Sequence, residues 1–266
     1  PTHQSRGHVV LCALVALMWA AHPASTEAVA WIKSRDEMLF TVFYLLAVIV
    51  LLTGLARGHL SHGRIAAIAA TYSLSLLSKE MAVSFPLITL ILCVYLGRST
   101  PRHDKVSAVA CTLFVTAVFV VVRHFVLGRT QQQGYITGGL YTEVLTMMRA
   151  AARYVRLAVF PAGLLADYRA FGIARSWTEW RVLLSCALIL ALVLLCLGTR
   201  KRLPAVSMGI AWFGISLLPV SNIVPTMQFF ADRFLYLPLV GLAILVADLL
   251  RRIAEPAPSD LPTATL

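Results

Sequence analysis

The sequence predicts an all-α fold: a polytopic integral membrane helical bundle of about eight transmembrane helices, with interfacial helices on the non-cytoplasmic side. Two observations predict this class. Hydrophobic residues make up 59% of the 266 positions and charged residues only 13%, whereas soluble domains are about a quarter charged. The apolar residues are also gathered into long runs that short charged segments separate, as expected for a chain that crosses a bilayer several times.

Eight apolar segments are predicted to span the membrane. A helix needs roughly 20 apolar residues to cross a ~30 Å hydrocarbon core, with about 17 as the lower limit. The third and fourth segments are separated only by Lys79 and Glu80, so this stretch is either a tight hairpin or one long kinked helix. The eight segments are residues 7–21, 38–56, 64–78, 81–97, 106–127, 182–198, 204–220 and 234–250.

The distribution of basic residues favours the hairpin. With eight spans, eleven Lys and Arg residues fall on one side of the membrane and four on the other, which is the bias expected of cytoplasmic loops. A single helix across 64–97 would reverse every later loop. The net charge of +11 follows from this bias, so no nucleic-acid partner is predicted. The eleven are Arg6, Arg57, Arg64, Arg98, Arg102, Lys105, Arg200, Lys201, Arg202, Arg251 and Arg252, and the four are Lys33, Arg35, Lys79 and Arg233.

Acidic residues are distributed in the opposite way, since eight of the twelve fall on the predicted outer side. A polar, functional outer face would explain this distribution. Outer loops that are simply longer, and therefore more charged, are the alternative explanation. The eight acids are Glu27, Asp36, Glu37, Glu80, Glu143, Asp167, Glu179 and Asp232.

Within the predicted membrane domain, residues 1–250, a long outer segment at 128–181 interrupts the spans. After a glycine-rich stretch it holds a helical pattern in which Arg149, Arg153 and Arg156 share one face. Each arginine would cost some 2.5 kcal/mol or more at the bilayer centre, so we expect an interfacial helix that continues past Pro161 to about residue 169. Its arginine face suits either a specific lipid phosphate or bulk anionic headgroups. Residues 251–266 are predicted to be a disordered tail.

The segment HPASTEAVAWIKSRDEML, residues 22–39, carries six ionisable groups between two apolar runs. At 100° per residue its polar side chains lie together on one side, opposite Trp31 and its apolar neighbours. The pattern predicts an amphipathic helix that leads into the second span. An ordinary interfacial helix with Trp31 at headgroup depth remains the alternative. The polar side holds His22, Thr26, Lys33, Asp36 and Glu37.

Other ionisable residues also stand at the outer ends of predicted spans, and we expect them to converge on one site. Arginine binds phosphate through forked hydrogen bonds, and a carboxylate can accept a proton from an attacking hydroxyl. A lipid-linked phosphosugar fits such a site, since its phosphate lies at headgroup depth. No histidine or cysteine shows the spacing of metal ligands, so no metal and no cofactor is predicted.

Four motifs resemble those of one family. The segment HPASTEAVAWIKSRDEML resembles the signature of the transmembrane O-mannosyltransferases that carry tetratricopeptide repeats, which in animals target cadherins and which have bacterial relatives. Three further stretches resemble family motifs in the same order: SLLSKEMAVSFPL, YVRLAVFPAGLLADYRAF and SNIVPTMQFFADRFLYLPLVG. The resemblance covers about residues 10–245.

This resemblance implies a glycosyltransferase of the GT-C class. Such an enzyme transfers a sugar, here mannose, from a polyprenyl- or dolichyl-phosphate donor to a protein or another hydroxyl acceptor. It acts on the non-cytoplasmic face of the bacterial inner membrane or of the endoplasmic reticulum. The catalytic acid of the class usually lies in the first outer loop, which here would precede Pro1. The sequence is therefore expected to be an N-terminally truncated fragment, inactive by itself, and none of its residues is named as catalytic.

The motifs assign donor- and acceptor-binding residues by position. Arg35, Lys79 and Arg233 are expected to bind the donor phosphate, and the acids to orient these cations or to hold sugar hydroxyls. Asp232 stands where animal members often have Glu. A secondary transporter or lipid flippase, and a non-catalytic scaffold, are the alternatives. The assigned residues are His22, Glu27, Arg35, Glu37, Lys79, Glu80, Asp167, Tyr168, Asn222, Asp232, Arg233 and Tyr236.

Overall fold

The computed structural model describes residues 3–127, 135, 137–164, 171–222 and 230–254. Within these ranges the chain forms ten α-helices and no strand. Short 3-10 helices at Pro23–Ser25, Ile32–Ser34, Glu80–Ser84, Leu218–Val220 and Asp232–Leu235 join several of them. The α-helices are α1 (His3–Ala20), α2 (Thr26–Ala30), α3 (Arg35–Ala56), α4 (His62–Ser78), α5 (Phe85–Tyr95), α6 (Arg102–Leu127), α7 (Leu140–Val159), α8 (Trp180–Thr199), α9 (Pro204–Leu217) and α10 (Leu239–Ala254).

Helices α3 to α6 run alternately in opposite directions. Lys79 at the end of α4 contacts Glu37 in the first turn of α3. The ring of Tyr72 in α4 stacks on that of Phe85 in α5, with centroids 4.7 Å apart. In a continuous helix these rings would be about 20 Å apart at 1.5 Å per residue, so the chain turns back after Lys79. The predicted hairpin is confirmed.

The alternation gives the bundle two chemically different ends. One end, here called the acidic end, is where α3 begins and α4 and α6 finish, as the contact between Glu80 and Arg123 shows. The other, here called the basic end, holds the turn between α3 and α4 and the turn between α5 and α6, where Thr100 donates to the carbonyl of Leu55. Tyr95 bonds Ser207 there and so brings the turn between α8 and α9 to the same end. The predicted basic clusters near residues 57–64, 98–105 and 200–202 therefore share one end of the bundle.

Helices α9 and α10 pack closely through two glycines. A Cβ atom built on Gly209 would lie 2.7 Å from the carbonyl oxygen of Gly241, and one built on Gly241 would lie 2.5 Å from that of Gly209. Small residues at such crossings are typical of helices in lipid, where association depends on close packing rather than on exclusion of water. The crossing runs α10 antiparallel to α9 and brings Arg251 and Arg252 to the basic end.

Each predicted span coincides with a helix, but fewer helices are long enough to cross a bilayer. Among the described residues, Ile32–Ala56, Arg102–Val126 and Trp180–Thr199 are long and apolar enough. Gly7–Ala20 and Pro23–Ala30 would form a fourth if this pair, bent by 55°, counts as one span. Glu80–Tyr95 and Pro204–Val220 are apolar but shorter. The structure thus supports a helical membrane protein, and the number of eight spans stays a prediction.

Three predicted boundaries are wrong. The continuous amphipathic helix at 22–39 is broken at Trp31, whose backbone is extended (φ −85°, ψ 117°). Helix α7 ends at Val159 and does not continue past Pro161, because proline lacks an N–H and disfavours helical backbone in the preceding residue. Helix α10 continues to Ala254, four residues into the predicted tail. Residues 255–266 lie outside the described residues.

Candidate functional site

Five ionisable side chains from three separate parts of the chain meet at the acidic end. We call them the ion cluster: Glu27, Asp36, Glu37, Lys79 and Arg233. Arg233 donates to Glu27 twice, from its backbone N–H to Oε2 at 3.0 Å and from Nη1 to Oε1. Its Nε also lies 3.7 Å from Oε1 of Glu37. The cluster therefore joins residues as far apart in sequence as 27 and 233.

Glu37 connects the two cations of the cluster. Its Oε1 accepts from Nζ of Lys79 and also faces Arg233, while Nζ of Lys79 lies 3.0 Å from Oδ2 of Asp36. Glu37 is 1% exposed, and its second oxygen, Oε2, has no hydrogen-bond partner among the described residues. With all groups ionised, the cluster has three carboxylates and two cations. Both cations are thus already compensated by acids.

Backbone breaks on either side of the cluster place its residues. The extended Trp31 separates α2, which carries Glu27, from α3, which carries Asp36 and Glu37. Lys79 is also extended (φ −160°, ψ 137°) and leaves α4 there. Arg233 lies in the short 3-10 helix Asp232–Leu235, directly before the turn into α10. Every cation and acid of the cluster therefore stands at a helix end rather than inside a helix.

Aromatic rings cover the cations of the cluster. The guanidinium carbon of Arg233 lies 4.9 Å from the ring centre of Trp31 and 5.2 Å from that of Phe234. Nζ of Lys79 lies 5.7 Å from the ring centre of Phe234. Arg233 is 6% exposed, so these contacts hold a partly desolvated charge, for which cation–π attraction is strongest.

His22 fixes the segment that precedes the cluster. Its Nδ1 accepts a hydrogen bond from the backbone N–H of Ala24 at 3.2 Å and so caps the 3-10 helix Pro23–Ser25. Its Nε2 lies 3.1 Å from the carbonyl oxygen of Ala158 in α7. Because one nitrogen must accept and the other donate, the ring is neutral with its proton on Nε2. His22 thus ties this segment to α7.

A cleft of about 390 Å³ adjoins the ion cluster. Two acidic residues, Glu27 and Asp232, and the aromatic Trp31 contribute to its lining. The lining residues are Pro23, Thr26, Glu27, Ala30, Trp31, Leu164 and Asp232.

A second, apolar cleft of about 580 Å³ lies between α7, α8, α9 and α10. It extends from Ser221 at the acidic end to Cys196, near the turn into α9. Tyr154 lines this cleft, and its hydroxyl bonds the backbone of Ala231, next to the Asp232–Leu235 helix. The apolar cleft and the ion cluster are therefore neighbours.

The structure brings some of the predicted residues together and separates others. Tyr236 packs on Trp19, with ring centres 4.8 Å apart, just beyond the cluster. Glu80 points away and pairs with Arg123 at 3.5 Å. Arg35, the first residue of α3, is exposed. Asp167 and Tyr168 lie outside the described residues.

Asn222 forms a second buried polar contact, with an acid that the motifs did not assign. Its Nδ2 donates to Oε1 of Glu143 at 2.9 Å, and Thr137 donates to Oε2 of the same residue at 2.7 Å. Glu143 is 1% exposed and Asn222 2%. The sequence marks Glu143 only as one of the outer acids, because its partner lies 79 positions away. Asp36 and Trp31 of the cluster region were likewise not assigned.

The three arginines of α7 share one face, as predicted, and donate to the segment that follows the helix. Arg149 donates to the carbonyl of Gly172, Arg153 to that of Gly163 and Arg156 to that of Ala162. The carboxylate of Glu179 lies 3.7 Å from Arg149. The backbone N–H of Arg175 holds the pKa of Glu179 below its ordinary value, and Arg149 adds to this effect. Lipid-phosphate binding by these arginines stays a prediction.

The described residues form helices and no strand, and at least three of these helices are long and apolar enough to cross a membrane. The chain is 28% identical over 245 residues to a protein O-mannosyl-transferase of Caenorhabditis elegans. The match covers 90% of this chain, which spans 34% of the length of that protein. No family model and no solved structure matches the chain. The similarity supports a relationship to mannosyltransferases and, together with the apolar helices, a membrane glycosyltransferase.

Proposed function

We propose that the chain is part of a GT-C glycosyltransferase. This enzyme transfers mannose from a polyprenyl- or dolichyl-phosphate donor to a hydroxyl of a protein. The ion cluster carries this proposal. It places two cations, Lys79 and Arg233, beside a cleft at the end of an apolar bundle. The similarity to a protein O-mannosyl-transferase supports the reaction type.

Arg233 and Lys79 are the residues that we assign to the donor phosphate. Arginine has five N–H donors, of which the described contacts involve those at Nη1 and Nε. The donors at Nη2 suit a phosphate oxygen, and lysine offers three donors at a single nitrogen. The carboxylates of Glu27 and Glu37 hold the two cations side by side before the donor arrives. Binding then requires little movement of charged groups.

The apolar cleft suits the hydrocarbon part of such a donor. It runs along the bundle from Ser221 to Cys196, beside the ion cluster, and its lining is almost entirely apolar. A ligand with an anionic head and a long apolar tail could occupy both features at once. The excess of basic residues at the opposite end supports a non-cytoplasmic position for the cluster, in the bacterial inner membrane or the endoplasmic reticulum.

The test is radiolabelled mannose transfer from a polyprenyl-phosphate donor by the full-length protein in lipid nanodiscs. Arg233→Ala should reduce kcat/KM by about 100-fold or more, as expected for loss of a group that stabilises reacting charge. Because this variant leaves buried acids unpaired, Arg233→Lys is made beside it. Arg233→Lys keeps the charge but loses the forked geometry, so transfer should still fall about tenfold while the protein folds.

Arg123→Lys is the matched control. It makes the same exchange at the same end of the bundle, in an ion pair with Glu80 that lies outside the cluster. Its transfer rate should equal that of the wild type. If both Arg233→Lys and Arg233→Ala transferred mannose at the wild-type rate, Arg233 would not be part of the site. Movement of the intact lipid-linked sugar across the membrane without transfer would indicate the flippase alternative. A protein that shows neither transfer nor movement of the lipid would be a scaffold.

A further inference from the structure

Glu37 lies at the centre of the ion cluster, between both of its cations. The charges that act on it are those of Asp36 beside it in α3, Lys79 at the end of α4 and Arg233 before α10. We infer that the ion cluster binds the donor's phosphate together with one proton, which Oε2 of Glu37 takes up. The inference rests on the proposed function, which places that phosphate at Lys79 and Arg233. It adds a coupling between pH and donor affinity and names the residue that causes it.

The charges of the ion cluster oppose the binding of a further anion. Three carboxylates already surround the two cations. A phosphate bound by Lys79 and Arg233 would add a fourth negative charge close to Glu37, because both cations contact Oε1 of that residue. A nearby like charge favours the neutral form of a carboxyl group. Uptake of one proton would restore the net charge that the cluster has without the phosphate.

Burial and hydrogen bonding select Glu37 among the three carboxylates. The side chain of Asp36 is 43% exposed, so water stabilises its charge. Glu27 is also stabilised as an anion, because both of its oxygens accept hydrogen bonds from Arg233. Glu37 is 1% exposed and has only one bonded oxygen. Since burial disfavours the charged form, Glu37 is the carboxylate that a proton neutralises most easily.

Oε2 of Glu37 can carry a proton while the existing contacts remain. The other oxygen, Oε1, accepts from Nζ of Lys79 and faces Nε of Arg233. In a neutral carboxyl group the unprotonated oxygen still accepts hydrogen bonds. Oε2 is buried and has no hydrogen-bond partner among the described residues. Protonation there would change the charge of the cluster without moving its cations.

The test counts the protons that are taken up on binding. Calorimetric titrations use the full-length protein in phosphatidylcholine nanodiscs, in pairs of buffers with different ionisation enthalpies. The ligand is geranyl methyl phosphate, a phosphodiester that stays a monoanion near neutral pH and so contributes no proton. Between about pH 6 and about pH 9, uptake should reach at least about half a proton per ligand, and affinity should fall as the pH rises, because the proton and the anion favour each other's binding. Geraniol, which lacks the phosphate, should cause no uptake.

Glu37→Gln imitates the neutral acid at every pH. Its binding of the phosphodiester should take up no proton and should not vary with pH. At about pH 9 it should bind at least about threefold tighter than the wild type, since no negative charge has to be neutralised. Loss of a purely structural contact would weaken binding instead. Glu143→Gln is the matched control, because Glu143 is also 1% exposed but is bonded by Asn222 and Thr137; it should keep the wild-type uptake.

Proton counting and the transfer assay together separate this inference from the proposed function. Binding of the phosphodiester without proton uptake would overturn the inference alone, and so would uptake that persists in Glu37→Gln. Proton-coupled binding by a protein without mannose transfer would refute the proposed function and keep the inference. A protein that does not bind the phosphodiester at any pH would refute both. If Glu37→Gln fails to fold, the proton count of the wild type still decides.

Discussion

Glu37 shows at the residue scale how a buried charge is retained in this protein. One of its oxygens faces both Lys79 and Arg233, and the side chain is almost fully buried. Burying such groups costs several kcal/mol per ion before their attraction is counted, and removing one partner typically costs about 3–5 kcal/mol. The cluster is therefore weak evidence for stability. Its value lies in holding two cations in one fixed arrangement.

A prediction at the residue scale concerns Asn222 and Glu143. Asn222→Asp places a second carboxylate against Glu143 in a site where both residues are buried. Stability should fall by about 3 kcal/mol or more at neutral pH, as for other uncompensated buried charges. The measurement is the thermal unfolding midpoint of the purified protein in detergent.

Asn222→Gly is the control for this prediction. Asn222 has a positive φ of 55°, a conformation that glycine adopts freely. The variant keeps the backbone and loses only side-chain contacts, at a cost of about 1.5–3 kcal/mol for a bond to a charged acceptor. The unfolding midpoint should thus decrease in the order wild type, Asn222→Gly, Asn222→Asp. An Asn222→Asp protein as stable as the wild type would contradict the buried contact.

At the scale of elements, helix ends follow local chemistry. Ser61 caps α4 by accepting from the backbone N–H of Arg64, as serine commonly does at this position. Pro204 stands in the first turn of α9, where its missing N–H costs nothing. Pro161 follows the end of α7. Single residues thus explain where these elements begin or end, including α7, which was predicted to continue past Pro161.

A prediction at the element scale concerns the crossing of α9 and α10. Gly209→Ala would place a Cβ 2.7 Å from the carbonyl of Gly241 and 2.9 Å from Leu245. The two helices would have to separate, which should cost about 1–3 kcal/mol. The unfolding midpoint in detergent should fall accordingly.

Gly214→Ala, on the same helix, is the matched control. Its Cβ would meet nothing within 4 Å, and alanine favours helix over glycine by up to about 1 kcal/mol. The unfolding midpoint should stay unchanged or rise. A similar loss of stability in both variants would show that backbone flexibility, rather than the close crossing, determines the effect.

At the scale of the whole molecule, the two ends of the bundle differ in charge, and this difference predicts sidedness. Glu80→Cys lies at the acidic end, whereas Arg57→Cys and Arg98→Cys lie at the basic end. In a background without the five native cysteines, a membrane-impermeant maleimide should label Glu80→Cys in intact cells or sealed vesicles of the outward orientation. The two basic-end variants should be labelled only after permeabilisation.

The pair of basic-end variants is the internal control of this experiment. Arg57 and Arg98 are separated by α4 and α5, so both lie on one side only if the chain turns back at Lys79. Labelling of one of them before permeabilisation and of the other after it would mean that α4 and α5 form a single span. Such a result would contradict the hairpin.

The sequence predicted the positions of the helices well, because apolar runs and charged ends are local properties. Each predicted span contains a helix of the structure, and the basic clusters share one end. The break at Trp31 was not predicted, since no proline or glycine marks it and the polar residues around it fit one continuous helix. Its cause lies in contacts outside the segment, where Glu27 and Glu37 both turn toward Arg233.

The sequence by itself determined that this chain is helical and apolar, and that the charges around its predicted spans stand at the ends of those spans. Composition and periodicity are enough for that, because each helix forms its backbone hydrogen bonds within itself. Only the tertiary structure decided which charged and polar side chains meet. Arg233 binds Glu27 across 206 positions and Asn222 binds Glu143 across 79. Such pairs depend on how the helices pack, and that arrangement follows from side-chain shape over the whole bundle rather than from any local pattern.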